Sequence, residues 1–185
     1  MLNLWLCIGL CVIIWIFNGI YIIQAIREKI SSELFMHTGL SIFFCVLVLE
    51  LTVGSDGAWK RFDISWLEII GWVLYLPSAF LVIGSMLALK HRGKSKGSDF
   101  TETTTFIDKG IYGYIRQPMT LGLAIWSVGL LLVFQSVTAI VLCIISLFCF
   151  WMAARKESEY NISKFGDDYK TYMGKVPMWN LFRKP

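Results

Sequence analysis

Long apolar runs broken by short charged blocks set the pattern of this chain. Met1–Ile26 carries no charge, Leu34–Val53 and Trp66–Leu89 are two further apolar runs, and no charge appears between Arg116 and Arg155. A bilayer crossing takes about 20 mainly apolar residues. The first three runs therefore predict spanning helices at Leu4–Ile26, Leu34–Val53 and Trp66–Leu89. The fourth run, Pro118–Ala154, has 37 residues, too many for one crossing and close to two short ones. Its best turn is Gln135–Ser136, which gives Pro118–Phe134 and Val137–Ala154 as a tight antiparallel hairpin. The expected fold is all-α, a polytopic membrane protein with five transmembrane helices. It reads as a single membrane domain over 1–185: three N-terminal spans in 1–89, a loop in 90–117, the hairpin in 118–154 and a polar tail in 155–185.

The polar positions refine this. Arg27–Glu33 and Gly54–Ser65 are short loops, the second with Gly and Asp turn signals. Asn18, Gly19 and Gln24 interrupt the first span and are expected to face other helices. His37 and Glu50 fall near the two ends of the second span, and Glu68 at the start of the third, where ionisable groups cost little. Trp66 and Trp72 suit an interfacial belt, and Pro77 predicts a kink. Lys90–Arg116 is the longest polar segment. KHRGKSKGSD is basic and Gly/Ser-rich, as at an anionic membrane surface; TETTTFIDKG reads as a short extended piece and a turn.

Composition supports the membrane reading. The chain of 185 residues is 56% hydrophobic and 16% charged, against about a quarter charged in a soluble domain. The net charge of +4 is modest, so nucleic acid is not an expected partner. With five spans, fifteen Lys and Arg fall on one side and only Lys60 and Arg61 on the other, which puts the N-terminus outside and the C-terminus in the cytosol. The run at Met1–Ile26 is too long for a signal-peptide core and lacks a basic flank. Short loops and the absence of a targeting tail favour a prokaryotic plasma membrane over the endoplasmic reticulum. Cys7, Cys11, Cys45, Cys143 and Cys149 all lie in apolar runs without CxxC or ligand spacing, so they read as small apolar residues. With His37 and His91 the only histidines, no metal centre is expected.

Candidate chemistry gathers where the polar loop meets the hairpin. In Lys109–Gly122 (KGIYGYIRQPMTLG), Pro118 fits the first helical position. The helix N-terminus can hold an anion or a ligand carbonyl; alternatively Tyr112, Tyr114 and Arg116 only mark the interface. A tight hairpin brings Arg116 and Gln117 close to Arg155, Glu157 and Glu159. Glu157 and Glu159 are two apart and do not share a helical face, so one can look inward. A carboxylate there can hydrogen-bond a ribose or hold a cationic ligand, or it is simply a solvated helix end. Further on, Gly166 fits a helix C-cap. The aromatics Phe165, Tyr169 and Tyr172 can fold the tail back as a lid or lie on the membrane surface as an amphipathic helix.

Two of these stretches together resemble a known family. GIYGYIRQPMTLG resembles the G-x-Y-x-x-x-R-H-P-x-Y-x-G stretch of the isoprenylcysteine carboxyl methyltransferases and their phospholipid N-methyltransferase relatives. The run from Glu157 to Tyr172 (ESEYNISKFGDDYKTY), followed by Val176 and Pro177, resembles that family's tail of E-E, F-G-x-x-Y-x-x-Y and V-P. The resemblance covers about Thr105–Pro177. It implies an integral membrane methyltransferase that uses S-adenosylmethionine and acts on a lipid or other lipophilic acceptor: a carboxylate, an amine or a thiol. Carried over by position, the cofactor would be bound by Phe106, Ile107, Gly110, Tyr112, Arg116, Gln117, Pro118, Glu157, Glu159, Tyr169 and Tyr172, with Arg116, Arg155 and Glu157 at the chemistry. The family's His is Gln117 here, its Tyr after the Pro is Thr120, and the second Glu of its pair is Ser158. An amide at 117 hydrogen-bonds but cannot take up a proton. These departures leave a non-catalytic binding or scaffold member of the same fold as the alternative. A nicotinamide-dependent membrane reductase is a third reading, because sterol reductases resemble the same hairpin.

Overall fold

The computed structural model describes residues 2–92 and 106–179. The basic KHRGKSKGSD stretch and the first part of TETTTFIDKG lie mostly outside these residues. Six α-helices follow in order: α1 (Leu2–Glu28), α2 (Ser31–Leu49), α3 (Ser65–Arg92), α4 (Pro118–Phe134), α5 (Val137–Phe165) and α6 (Asp167–Lys175). No strand occurs among the described residues. Two shorter turns matter: a π-helical turn at Glu50–Gly54 that continues α2, and a 3-10 turn at Gly110–Gly113.

Among the described residues, four helices are long and apolar enough to cross a membrane: Asn3–Glu28, Ser31–Gly54, Ser65–His91 and Val137–Phe165. The fifth apolar helix, Pro118–Phe134, has 17 residues, the lower end of the spanning range. The bundle is apolar on its outside. Trp5, Ile13 and Ile16 on α1, and Trp66, Ile69, Leu76 and Phe80 on α3, are exposed. A surface of this kind suits lipid rather than water.

Some boundaries differ from expectation. The Arg27–Glu33 loop shrinks to Lys29 and Ile30, because α1 runs through Glu28 and the Ile30 N–H caps it on the Ala25 carbonyl at 2.9 Å. The polar tail does not begin at Arg155. α5 continues eleven residues beyond Ala154 to Phe165, since the change from apolar to charged residues is no helix stop; Gly166, at φ 66, supplies the stop. Gly19 faces no other helix, as a Cβ there would meet nothing within 4 Å. Gln24 is exposed and bonds Glu28 on its own helix.

In space the helices run α1, α2, α5, α4, α3, since the main contacts are α3 with α4, α2 with α5, α1 with α2 and α4 with α5. The central core is Phe43, Val46, Leu123, Leu130, Phe134, Ala139, Cys143 and Phe150. Small residues let helices approach closely. Gly71 on α3 and Gly129 on α4 face each other, and Ser78 donates to the Gly122 carbonyl at 2.8 Å. Buried Ser146 donates to the Gly39 carbonyl across α5 and α2 at 3.1 Å.

One end of the bundle is locked by polar contacts. Gln135, in the left-handed region at φ 48, ends α4, and Ser136 caps α5 by accepting from the Ala139 N–H at 2.9 Å. The Gln135 side chain exchanges two hydrogen bonds with the Ile64 backbone at 2.9 and 3.0 Å. Glu50, expected near the end of the second span, lies there with its side chain fully buried. Its carboxylate accepts from Ser136, from Trp59 Nε1 at 3.2 Å and from Arg61 at 3.2 Å. The other end of the bundle, where α1 meets α2 and α5 meets α6, is open and holds the site.

Candidate functional site

The site starts from three local features. Pro118 opens α4, which leaves Arg116 and Gln117 as the non-helical residues before it. Gly166 turns the chain after α5 so that the nine-residue α6 folds back. The segment after α6 then runs beside the start of α4: the N–H of Arg116 donates to the Pro177 carbonyl at 2.9 Å, and that of Gln117 to the Met178 carbonyl at 3.3 Å. These two N–H groups are thus taken by the tail.

Side chains complete the strap. Arg116 Nη1 donates to the carbonyls of Val176 at 3.1 Å and Met173 at 3.3 Å. Tyr172 donates to the Tyr112 carbonyl at 2.6 Å, and Trp179 to Thr120 at 3.1 Å. Phe106 joins the tail from the loop side. Its ring lies 5.6 Å from Tyr169, nearly perpendicular, and 5.5 Å from both Phe165 and Tyr172. Burial pushes the phenols of Tyr112, Tyr169 and Tyr172 above their ordinary range. All three stay neutral and keep their O–H as a donor.

Under this strap lies a cavity of about 540 Å³, well within the range of small-molecule sites. α5 contributes Ala153, Glu157, Tyr160, Asn161 and Lys164, one stripe at the spacing of helical turns. Phe106, Ile107, Tyr112, Arg116, Gln117, Tyr169 and Tyr172 form the loop and tail wall. α1 lines it with Phe17, Tyr21, Gln24 and Glu28, and α2 with Glu33, Met36 and His37. Gln117 and Glu157 border the same cavity, and Glu157 forms no ion pair among the described residues. Arg116 Nε is buried without a hydrogen-bond partner among the described residues. The arrangement offers an acceptor for a cation, a spare guanidinium donor for an anion and an aromatic wall.

Eight of the sequence-predicted residues border this cavity: Phe106, Ile107, Tyr112, Arg116, Gln117, Glu157, Tyr169 and Tyr172. Four do not. Arg155 is exposed and stacks over Trp151 at 4.9 Å, and Glu159 is exposed and pairs with Lys156 at 2.7 Å. Both lie on the face of α5 turned away from Glu157. Gly110 and Pro118 shape the backbone beside the site without lining it. Of the departures, Gln117 sits in the cavity wall, whereas Thr120 and Ser158 are buried outside it, hydrogen-bonded to the carbonyls of Gln117 and Ala154. The α1 and α2 wall was missed. Its signal was available as polar residues at helical spacing near the span ends: Tyr21, Gln24 and Glu28, then Glu33 and His37.

Comparison with known proteins places the chain. The phospholipid methyltransferase family profile matches residues 66–168, more than half of the sequence. The chain belongs to this family. It is also similar to proteins named protein-S-isoprenylcysteine O-methyltransferase. The human one is 27% identical over 171 residues, covering 85% of this chain and 58% of that protein. The Xenopus laevis one is 26% identical over 145 residues, with 70% and 49% covered. The Schizosaccharomyces pombe one is 33% identical over 114 residues, with 56% and 48% covered. The chain therefore spans about half the length of the curated relatives it matches. These relatives are eukaryotic and lend no support to the prokaryotic membrane expected from the sequence. No solved structure matches.

Proposed function

We propose that the protein is an S-adenosylmethionine-dependent methyltransferase that modifies a lipophilic acceptor at the cytosolic face of a membrane. The observation that carries this reading is the single cavity in which the Glu157 carboxylate and the aromatic strap meet a wall built from α1 and α2. The residues fit the cofactor on two counts. Glu157 lines the cavity and has no ion pair among the described residues, and a sulfonium donor is a cation. Arg116 keeps a buried Nε–H without a partner among the described residues, and a methionine carboxylate can accept from it.

In this reading Glu157, Arg116, Phe106, Tyr169 and Tyr172 hold the cofactor. When bound, it supplies a methyl group already activated on a positive sulfur. Gln117 shares the cavity wall with Glu157, and its amide N–H can donate to that carboxylate. The strap from Gly166 to Trp179 excludes water from the loop side, and Arg116 fastens it. Phe17, Tyr21 and Met36 offer apolar surface to the chain of an acceptor whose tail stays in the bilayer. Such catalysis depends mainly on positioning and desolvation. α4, at about 26 Å for 17 residues, is the fifth span of one membrane domain. The N-terminus lies outside and the site in the cytosol.

The test is transfer of label from S-adenosylmethionine carrying a radioactive methyl group, with the purified protein in vesicles of membrane lipid. Label should enter the organic-soluble fraction. No transfer and no binding of S-adenosylhomocysteine by a folded protein would favour a non-catalytic member of the fold. Tighter binding of a reduced nicotinamide would favour the reductase reading.

A further inference from the structure

The cofactor reading leaves a buried amide in the first span, Asn18, without a role. Among the described residues of α1, just Cys7, Asn18 and Ala25 are buried. At about 3.6 residues per turn these three fall on one narrow stripe, and the main partner of α1 in the bundle is α2. The neighbouring stripe of α1, made of Phe17, Tyr21, Gln24 and Glu28, lines the cavity. The rotation of α1 about its own axis therefore decides whether that wall exists. Apolar contact along a narrow stripe sets this rotation weakly, because lipid tails are as apolar as the side chains they would replace. A directional hydrogen bond sets it well.

Asn18 supplies that bond. Its Nδ2 donates to the Ile14 carbonyl on its own helix at 3.0 Å, which leaves Oδ1 as the atom facing His37 Nδ1 on α2, at 3.0 Å. An amide oxygen only accepts, so the Nδ1–H of His37 donates to it. Tyr21 stacks on the same imidazole, with ring centroids 4.5 Å apart and planes 7° apart. His37 and Tyr21 border the cavity together with Phe17 and Met36. We infer that Asn18 is a positioning residue for the acceptor: through His37 it fixes the rotation of α1 and holds the Phe17–Tyr21 wall beside Met36, where the lipophilic chain lies. The inference rests on the reading of that wall given above. It uses the Nδ1 side of the imidazole and makes no demand on Nε2. Loss of Asn18 weakens the hold on the chain and leaves the cofactor half, built on α5 and the strap, as it was.

The test is photolabelling of the full chain in detergent with a dodecyl chain that ends in a diazirine, the labelled residues being mapped by mass spectrometry. Phe80, exposed on α3, reports ordinary contact with the probe. In wild type, labelling at Tyr21 and Met36 should exceed that at Phe80. In Asn18→Leu this ratio should fall about fivefold, the order expected of one interhelical bond in a membrane, while affinity for S-adenosylhomocysteine stays within about twofold. A general loosening of the fold would weaken that affinity in step. His37→Phe keeps a ring against Tyr21 but not the bond, and should give the same fall. It reads the contact from α2 should Asn18→Leu fail to fold, as judged by size-exclusion profile. The double variant should be no worse than either single one, since all three remove one contact. A ratio unchanged from wild type, additive losses in the double variant, or a parallel loss of S-adenosylhomocysteine affinity would each overturn the assignment. So would wild-type labelling no higher at Tyr21 and Met36 than at Phe80. Failure of the wild type to bind S-adenosylhomocysteine would instead remove the methyltransferase reading, and the labelling ratio would still decide the role of Asn18.

Discussion

At the scale of the residue, Arg116 and Glu157 carry different burdens. Arg116 donates to two tail carbonyls and still has a buried Nε–H. Hydrogen bonds from a charged donor contribute about 1.5–3 kcal/mol. Arg116→Ala should therefore loosen α6 and Val176–Trp179 without unfolding the bundle, seen as faster amide exchange in the tail and unchanged exchange in α4. Equal exchange in the tail of both proteins would show that the strap does not depend on Arg116. The α5 side chains show what could be read at this scale. Arg155 and Glu159 are four apart and share a face, while Glu157 lies about 200° from each at 3.6 residues per turn. The spacing thus said that Glu157 could not face the same way as the other two. It could not say which face looks inward, because that is set by α6 and the loop folding onto α5.

At the scale of the element, local chemistry was the most legible. Pro118 starts α4, Gln135 and Ser136 turn the hairpin, and Gly166 ends α5, each for a reason contained in its own residue type. Illegible was the continuation of α5 past Ala154, since nothing between Arg155 and Phe165 breaks a helix. Helix approach also escaped the sequence. A Cβ on Gly129 would lie 2.6 Å from the Tyr75 ring and 3.1 Å from the Gly71 carbonyl oxygen. Gly129→Leu should push α3 from α4 and cost about 1–3 kcal/mol by overpacking, read as a lower midpoint of thermal unfolding in detergent. Glu50 is the stronger case. Glu50 is fully buried while Arg61 is partly exposed; Glu50→Ala removes that pair and takes the acceptor from Ser136 and Trp59, at about 1–3 kcal/mol for each donor left unpaired, so it should lower that midpoint further than Gly129→Leu. A smaller drop for Glu50→Ala would mean that the buried cluster contributes less than the helix contact.

At the scale of the whole molecule, the five helices form a row in which the site is shared by residues far apart in sequence. The α1 and α2 wall joins a strap more than a hundred residues later, which is why no local pattern revealed it. The charge asymmetry gives the orientation a direct check. In sealed vesicles, Lys60→Cys and Lys156→Cys should react with an impermeant maleimide from opposite sides. Labelling from one side would remove α4 as a span and separate the site from the cytosolic face. The central claim is that Glu157 holds a cationic methyl donor under the strap. Calorimetric titration with S-adenosylhomocysteine lacks the sulfonium charge, so S-adenosylmethionine should be titrated beside it, into wild type and Glu157→Ala. Wild type should bind both. The variant, having lost a charged contact of about 1.5–3 kcal/mol, should bind S-adenosylmethionine roughly 10- to 100-fold more weakly, with a smaller loss for S-adenosylhomocysteine. Equal affinity of the two proteins for S-adenosylmethionine would contradict the claim.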